Sequence, residues 1–95
     1  MDYLVFDKRL GISVPGEYVD FDSISEKELE DFWLKWEKIR GTIPDRIQEL
    51  DRMMEKLQTE LSFEEDFEES CRLNAQIAEL ASIVNDLWLL YRVSP

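Results

Sequence analysis

The sequence predicts a mainly α protein of the α+β class. Three helices, two of them an antiparallel helical hairpin, follow a small N-terminal β-hairpin. Three observations carry this reading. Apolar residues recur at alternating steps of four and three over 43–61, and again from Leu73 to Tyr91. Ser25-Glu26-Lys27-Glu28 has the form of a capping box, in which a hydroxyl and a glutamate satisfy the free N–H groups of a helix start. Gly11, Pro15 and Gly16 fall among the first 22 residues, between short β-prone runs. At 95 residues the chain has room for one domain.

The β-hairpin region covers 1–22. Tyr3-Leu4-Val5-Phe6, Ile12-Ser13-Val14 and Tyr18-Val19-Asp20-Phe21 read as strands of a hairpin or three-stranded meander. Between the last two, Pro15-Gly16 fits the centre of a type II turn, because proline presets φ and glycine accepts a positive one. So small a sheet is unstable alone and must pack on helices.

The first helix is predicted over 24–40, with Leu29, Phe32, Trp33, Trp36 and Ile39 on its apolar stripe. Gly41 suits the left-handed residue that closes a helix. The second helix, over 43–61, admits Pro44 in its first turn, where the missing N–H has no partner to lose. Its seam is Ile43, Ile47, Leu50, Met54, Leu57 and Leu61. Two caps then overlap, Ser62 with Glu65 and Asp66 with Glu69. The third helix, over 66–92, resumes the seam in Leu73, Ile77, Leu80, Val84, Leu87 and Tyr91, widened by Ala78, Ala81, Ile83, Trp88 and Leu90. The short link makes these two helices antiparallel neighbours. The third reads as the longer, overshooting by roughly 15 Å and leaving Leu87, Trp88, Leu90 and Tyr91 for the first helix, the hairpin or another chain to cover.

Composition narrows function. The chain has 22 acidic and 11 basic residues, no histidine and one cysteine, for a net charge of −11. Without histidine there is no Ser-His-Asp or Cys-His nucleophile and no His-ligated metal. One cysteine permits neither an internal disulfide nor a cysteine zinc site. Direct nucleic-acid binding is not expected, since phosphate contacts need clustered Lys and Arg. The N-terminus lacks the basic stretch and apolar run of a secretory signal. The most apolar segment, from Gln76 to Tyr91, carries Glu79, Asn85 and Asp86, so no membrane partner is expected and the setting is cytoplasmic.

The candidate site residues fall into two groups. Glu60, Glu64, Glu65, Asp66, Glu68 and Glu69 form the densest charge cluster, with no base among them. It suits docking of a basic protein, though the plainer reading is a solvated helix start where acids meet the positive dipole end, with Glu68 and Arg72 able to pair. Carboxylate pairs one turn apart, Glu65 with Glu68 and Glu28 with Asp31, have a Mg²⁺-binding spacing. That spacing recurs by chance in any acidic helix, so no metal, cofactor or catalytic residue is expected. The second group is aromatic and apolar. Trp33 sits at the edge of its stripe and Leu34 off it, and Trp88 and Tyr91 end the third helix. Met54 occupies a seam position and Met53 lies beside it, while Cys71, among acids, reads as a buried or inert thiol.

The expected function is therefore that of a non-catalytic acidic protein-interaction module, a regulator, adaptor or inhibitor whose partner is another protein. A basic partner suits the acidic rim. One alternative is a nucleic-acid-mimicking or immunity-type inhibitor of a basic nuclease or DNA-binding protein. Another is a self-assembling helical protein, in which the seams pair two copies as a homodimer.

Overall fold

The computed structural model describes residues 3–17 and 19–93. It is mainly helical with a two-stranded antiparallel sheet at the N-terminus: β1 (Leu4–Asp7), β2 (Ile12–Pro15), α1 (Glu26–Arg40), α2 (Ile43–Phe63) and α3 (Phe67–Tyr91). Leu4 pairs with Pro15 and Asp7 with Ile12. The chain reverses at Lys8–Gly11. Leu10 donates its N–H to Asp7 Oδ1 at 3.0 Å, and Gly11 donates to the Asp7 carbonyl at 2.8 Å. Gly11 holds φ at +77°, a left-handed value that glycine adopts without steric cost.

The Pro15-Gly16 turn does not form. Gly16 lacks the positive φ that a type II turn requires there. Its N–H donates instead to the Tyr3 carbonyl at 2.9 Å, which prolongs the hairpin's own pairing, and the next turn comes after it, where the Val19 N–H donates to the Gly16 carbonyl at 3.4 Å. Consequently Val19–Phe21 adds no third strand, and Tyr18 lies outside the described residues.

Ser25 caps α1, accepting the Glu28 N–H at 3.2 Å. The helix does not close on a left-handed glycine. Gly41 and Thr42 both keep right-handed helical angles. Gly41 donates to Glu37 O at 3.0 Å and Thr42 to Ile39 O at 2.9 Å. Pro44 lacks an N–H, and its ring crowds the carbonyl four residues back, at Arg40, so the rod bends without ending. α1 and α2 are thus one bent helix. α3 exceeds α2 by four residues only, 25 against 21, because α2 runs on to Phe63. The excess is about 6 Å, and α1 meets it: the buried Trp36 donates its indole N–H to the Val93 carbonyl at 2.9 Å.

The core joins elements from the hairpin and all three helices around the α1–α2 bend. Leu10 and Ile12 from the β-hairpin pack with Trp36, Ile43, Ile47, Leu50, Ile83 and Leu87. Polar contacts pin the hairpin over this core. Arg9 bonds Glu79 at 3.0 Å, Asp86 at 2.7 Å and Ser82 at 2.8 Å, all on α3. Arg46 of α2 donates to the Leu10 carbonyl at 3.0 Å. The Tyr3 hydroxyl donates to Glu28 at 2.9 Å, and that bond to a carboxylate raises the Tyr3 pKa.

Beyond Leu50 and Ile83 only α2 and α3 continue, paired through Met54, Leu57, Leu61, Leu73, Ile77 and Leu80, of which Leu73 is fully buried. This arm projects roughly 20 Å at 1.5 Å per residue. The arm and α1, opposite ends of one rod that runs about 57 Å from Glu26 to Phe63, together account for the 59 × 22 × 17 Å extents and the 17.4 Å radius of gyration, against about 12 Å for a rounded chain of this length.

Two measurements check this account. Leu87→Ala, at a site closed to solvent, is expected to cost about 2–5 kcal/mol in urea unfolding, whereas Leu34→Ala, 63% exposed, changes stability by less than about 0.5 kcal/mol. Arg9→Ala is expected to speed hydrogen exchange of the β1 and β2 amides while those of α2 and α3 stay protected.

Candidate protein-binding surfaces

The acidic cluster lies at the free end of the arm. Glu60 is in the last turns of α2, Glu64, Glu65 and Asp66 form the link, and Glu68 and Glu69 open α3. Of the two competing caps, Asp66 acts: its carboxylate accepts the Glu68 N–H at 3.0 Å, while its own N–H donates to Glu64 Oε1 at 3.0 Å. Ser62 stays inside α2, donating its hydroxyl to Gln58 O at 2.9 Å. Arg72 pairs with Glu69, one turn back, rather than with Glu68. The guanidinium holds the Glu69 carboxyl below its ordinary range and is itself raised by Glu69, with Glu60 and Glu64 adding to the effect. A depressed carboxylate supports folding above its unfolded pKa, so this pair's support fades as pH falls through the lowered value. The Glu65 and Glu68 carboxylates have no hydrogen-bond or ion-pair partner among the described residues, so the tip keeps a net negative field.

Two phenylalanines share this tip. Phe63, the last residue of α2, is 82% exposed, and Phe67, the first of α3, is 80% exposed. They are the most exposed large apolar side chains described. Sequence reasoning passed over them, although a signal was present. Both fall outside the four-three seam, and an apolar residue off the seam at a helix end has no neighbour to bury it.

The other candidates lie elsewhere. Trp33 is half-buried, stacked on Phe21 at 6.1 Å and edge-on to Phe32 at 5.1 Å. Leu34 points to solvent beside it, and Glu30, Trp33, Leu34 and Glu37 line a shallow depression on α1. Trp88 and Tyr91 are exposed and meet edge-to-face at 5.7 Å, with the Arg40 guanidinium 5.7 Å from the Tyr91 ring centre. About 30 Å of helix separates Trp88 from Phe67. The six acids and the four aromatic and apolar candidates therefore form three separate patches. Cys71 is exposed rather than buried.

A fourth feature is concave. On the flank of the arm, Met53, Lys56, Leu57 and Glu60 of α2 face Gln76, Glu79 and Leu80 of α3 across a groove of about 460 Å³. Met53 is exposed, while Leu57 and Leu80 are half-buried in its floor.

Among the described residues no group of three or more Asp, Glu or Cys gathers closely enough to hold a metal ion. No described helix is long and apolar enough to cross a membrane. The chain matches no protein-family model, no curated protein and no solved structure.

Because Phe63 and Phe67 face solvent, replacing both with alanine is expected to leave the unfolding free energy within about 0.5 kcal/mol of wild type. Leu73→Ala, in the seam of the same arm, is expected to cost about 2–4 kcal/mol. Thermal and urea unfolding followed by circular dichroism compares the two.

Proposed function

We propose that the chain is a non-catalytic protein-interaction module, a regulator, adaptor or inhibitor that works by occupying a partner protein. The observation that carries this reading is the tip of the arm, where two phenyl rings, each four-fifths exposed, stand among six acidic residues beyond the end of the core. Holding such rings in water is unfavourable, and burying them in a partner's pocket recovers that hydrophobic free energy. The ordered turn beneath them limits the conformational freedom lost on docking. The acids favour a basic partner and accelerate its approach at low salt.

The same charge supports a second reading, an immunity-type or nucleic-acid-mimicking inhibitor of a basic nuclease or DNA-binding protein. The uninterrupted run of acids around Glu64-Glu65-Asp66 favours it. Affinity capture from the native host's lysate tests both, using wild type and the Phe63→Ala/Phe67→Ala double variant with elution in rising salt. A partner retained through high salt by wild type and lost by the double variant is the expected result. A basic nuclease or DNA-binding protein released at moderate salt from both chains favours the mimic. If wild type retains nothing beyond what a charge-matched control protein retains, the interaction-module reading fails.

A further inference from the structure

The trough between α2 and α3 is continuous, and the β-hairpin fills only half of it. At the core end, Leu10 and Ile12 pack with Ile47, Leu50, Ile83 and Leu87, which closes the trough. Arg9 marks the limit of that cover by its bond to Glu79. Glu79 also borders the open groove, whose apolar surface is Met53, Leu57 and Leu80. The uncovered half therefore continues the surface that the hairpin occupies inside the molecule, with the same seam beneath it. Two antiparallel helices cannot bury their own seam on both flanks, and a third helix laid along the trough is the packing that completes it.

The charges select the occupant. Arg9 is shared between Glu79 and Asp86, and among the described residues Lys56 is the one base on the rim without an ion-pair partner. Toward the tip the excess is acidic. Glu60 lines the groove, Glu64 lies near it beside Arg72, and that arginine is taken by Glu69. A second copy of this chain, at net charge −11, would bring acid against acid. We infer that the open half of the α2–α3 trough is a docking groove for a cationic amphipathic helix of a partner protein. Its apolar ridge lies against Met53, Leu57 and Leu80, with its Lys and Arg side chains toward Glu60 and the tip. This is the helix-in-groove mode, with anchors spaced i, i+3 or i+4, and i+7. The inference rests on the protein-interaction reading and adds to it a second surface, distinct from Phe63 and Phe67, together with the class of ligand that surface takes.

The test uses the intact chain and a fluorescein-labelled Leu/Lys amphipathic helix of about 18 residues, long enough to span the groove and reach the tip. Fluorescence anisotropy measures affinity for wild type and for three variants. Met53→Lys removes the apolar wall and adds one positive charge. Glu55→Gln changes net charge by the same amount on an exposed position outside the groove. Phe63→Ala/Phe67→Ala alters the tip alone. Circular dichroism establishes that each is folded. The expected result is binding to wild type that weakens about tenfold in Met53→Lys and by less than roughly twofold in the other two. Amide resonances near Met53, Leu57, Gln76 and Leu80 should shift on titration. Equal weakening in Met53→Lys and Glu55→Gln would mean bare charge attraction and overturn the groove. Loss confined to the phenylalanine double variant would overturn it by placing the peptide at the tip. Absence of binding to wild type would overturn it as well, while the lysate capture decides the broader reading independently.

Discussion

Everything else in this molecule depends on the packing of a β-turn into the angle between two helices. Among the described residues of the β-hairpin only Leu10 and Ile12 are buried, and they close the core over Ile47, Leu50, Ile83 and Leu87. Without them the α2–α3 pair would have no third layer, and a two-stranded sheet without helices has no stability of its own. The polar contacts around the turn orient it more than they stabilise it. Arg9 remains 38% exposed, and ion pairs at that exposure contribute little net free energy. Their value is geometric, since three bonds from one planar guanidinium to Glu79, Ser82 and Asp86 admit one placement of the turn on α3.

The bend at Gly41–Thr42 is the second determinant. Around it Trp36 bonds Val93 and Arg40 lies over Tyr91, so the last turns of α1 meet the end of α3. The molecule thereby divides into a layered core and a bare two-helix arm, and its exposed apolar side chains gather mainly on the arm's tip and flank and on the outer faces of α1 and α3.

The helical part of this architecture was legible in the sequence because it follows from period alone. The seam from Ile43 to Leu61 and its counterpart from Leu73 onward require two facing helices, whatever else the chain does. The N-terminal region was legible only in outline. Pro15-Gly16 carries a stronger local turn signal than Lys8–Gly11, yet the reversal uses Gly11, because pairing of β1 with β2 puts the Gly16 N–H on Tyr3. Gly41 misled for a related reason. Glycine closes helices often, but Thr42 and the following seam favoured a bend that keeps right-handed angles. For the candidate site, the acidic run was plain in the sequence and its position at the tip followed from the helical hairpin. The exposure of Phe63 and Phe67 was not read, since large aromatic residues in a small domain are ordinarily core. The groove could not be read at all, because its boundary depends on where the β-turn stops covering the trough.

The arm repeats every seven residues, whereas the core ends at Leu50 on one helix and Ile83 on the other. Adding one heptad to α2 and one to α3 would leave every core contact in register and carry the tip about 10 Å farther out. Removing one from each would draw it in by the same step. Reach is thus a quantity this fold can vary in discrete increments, separately from stability, in the manner of a spacer whose length is decoupled from its anchor.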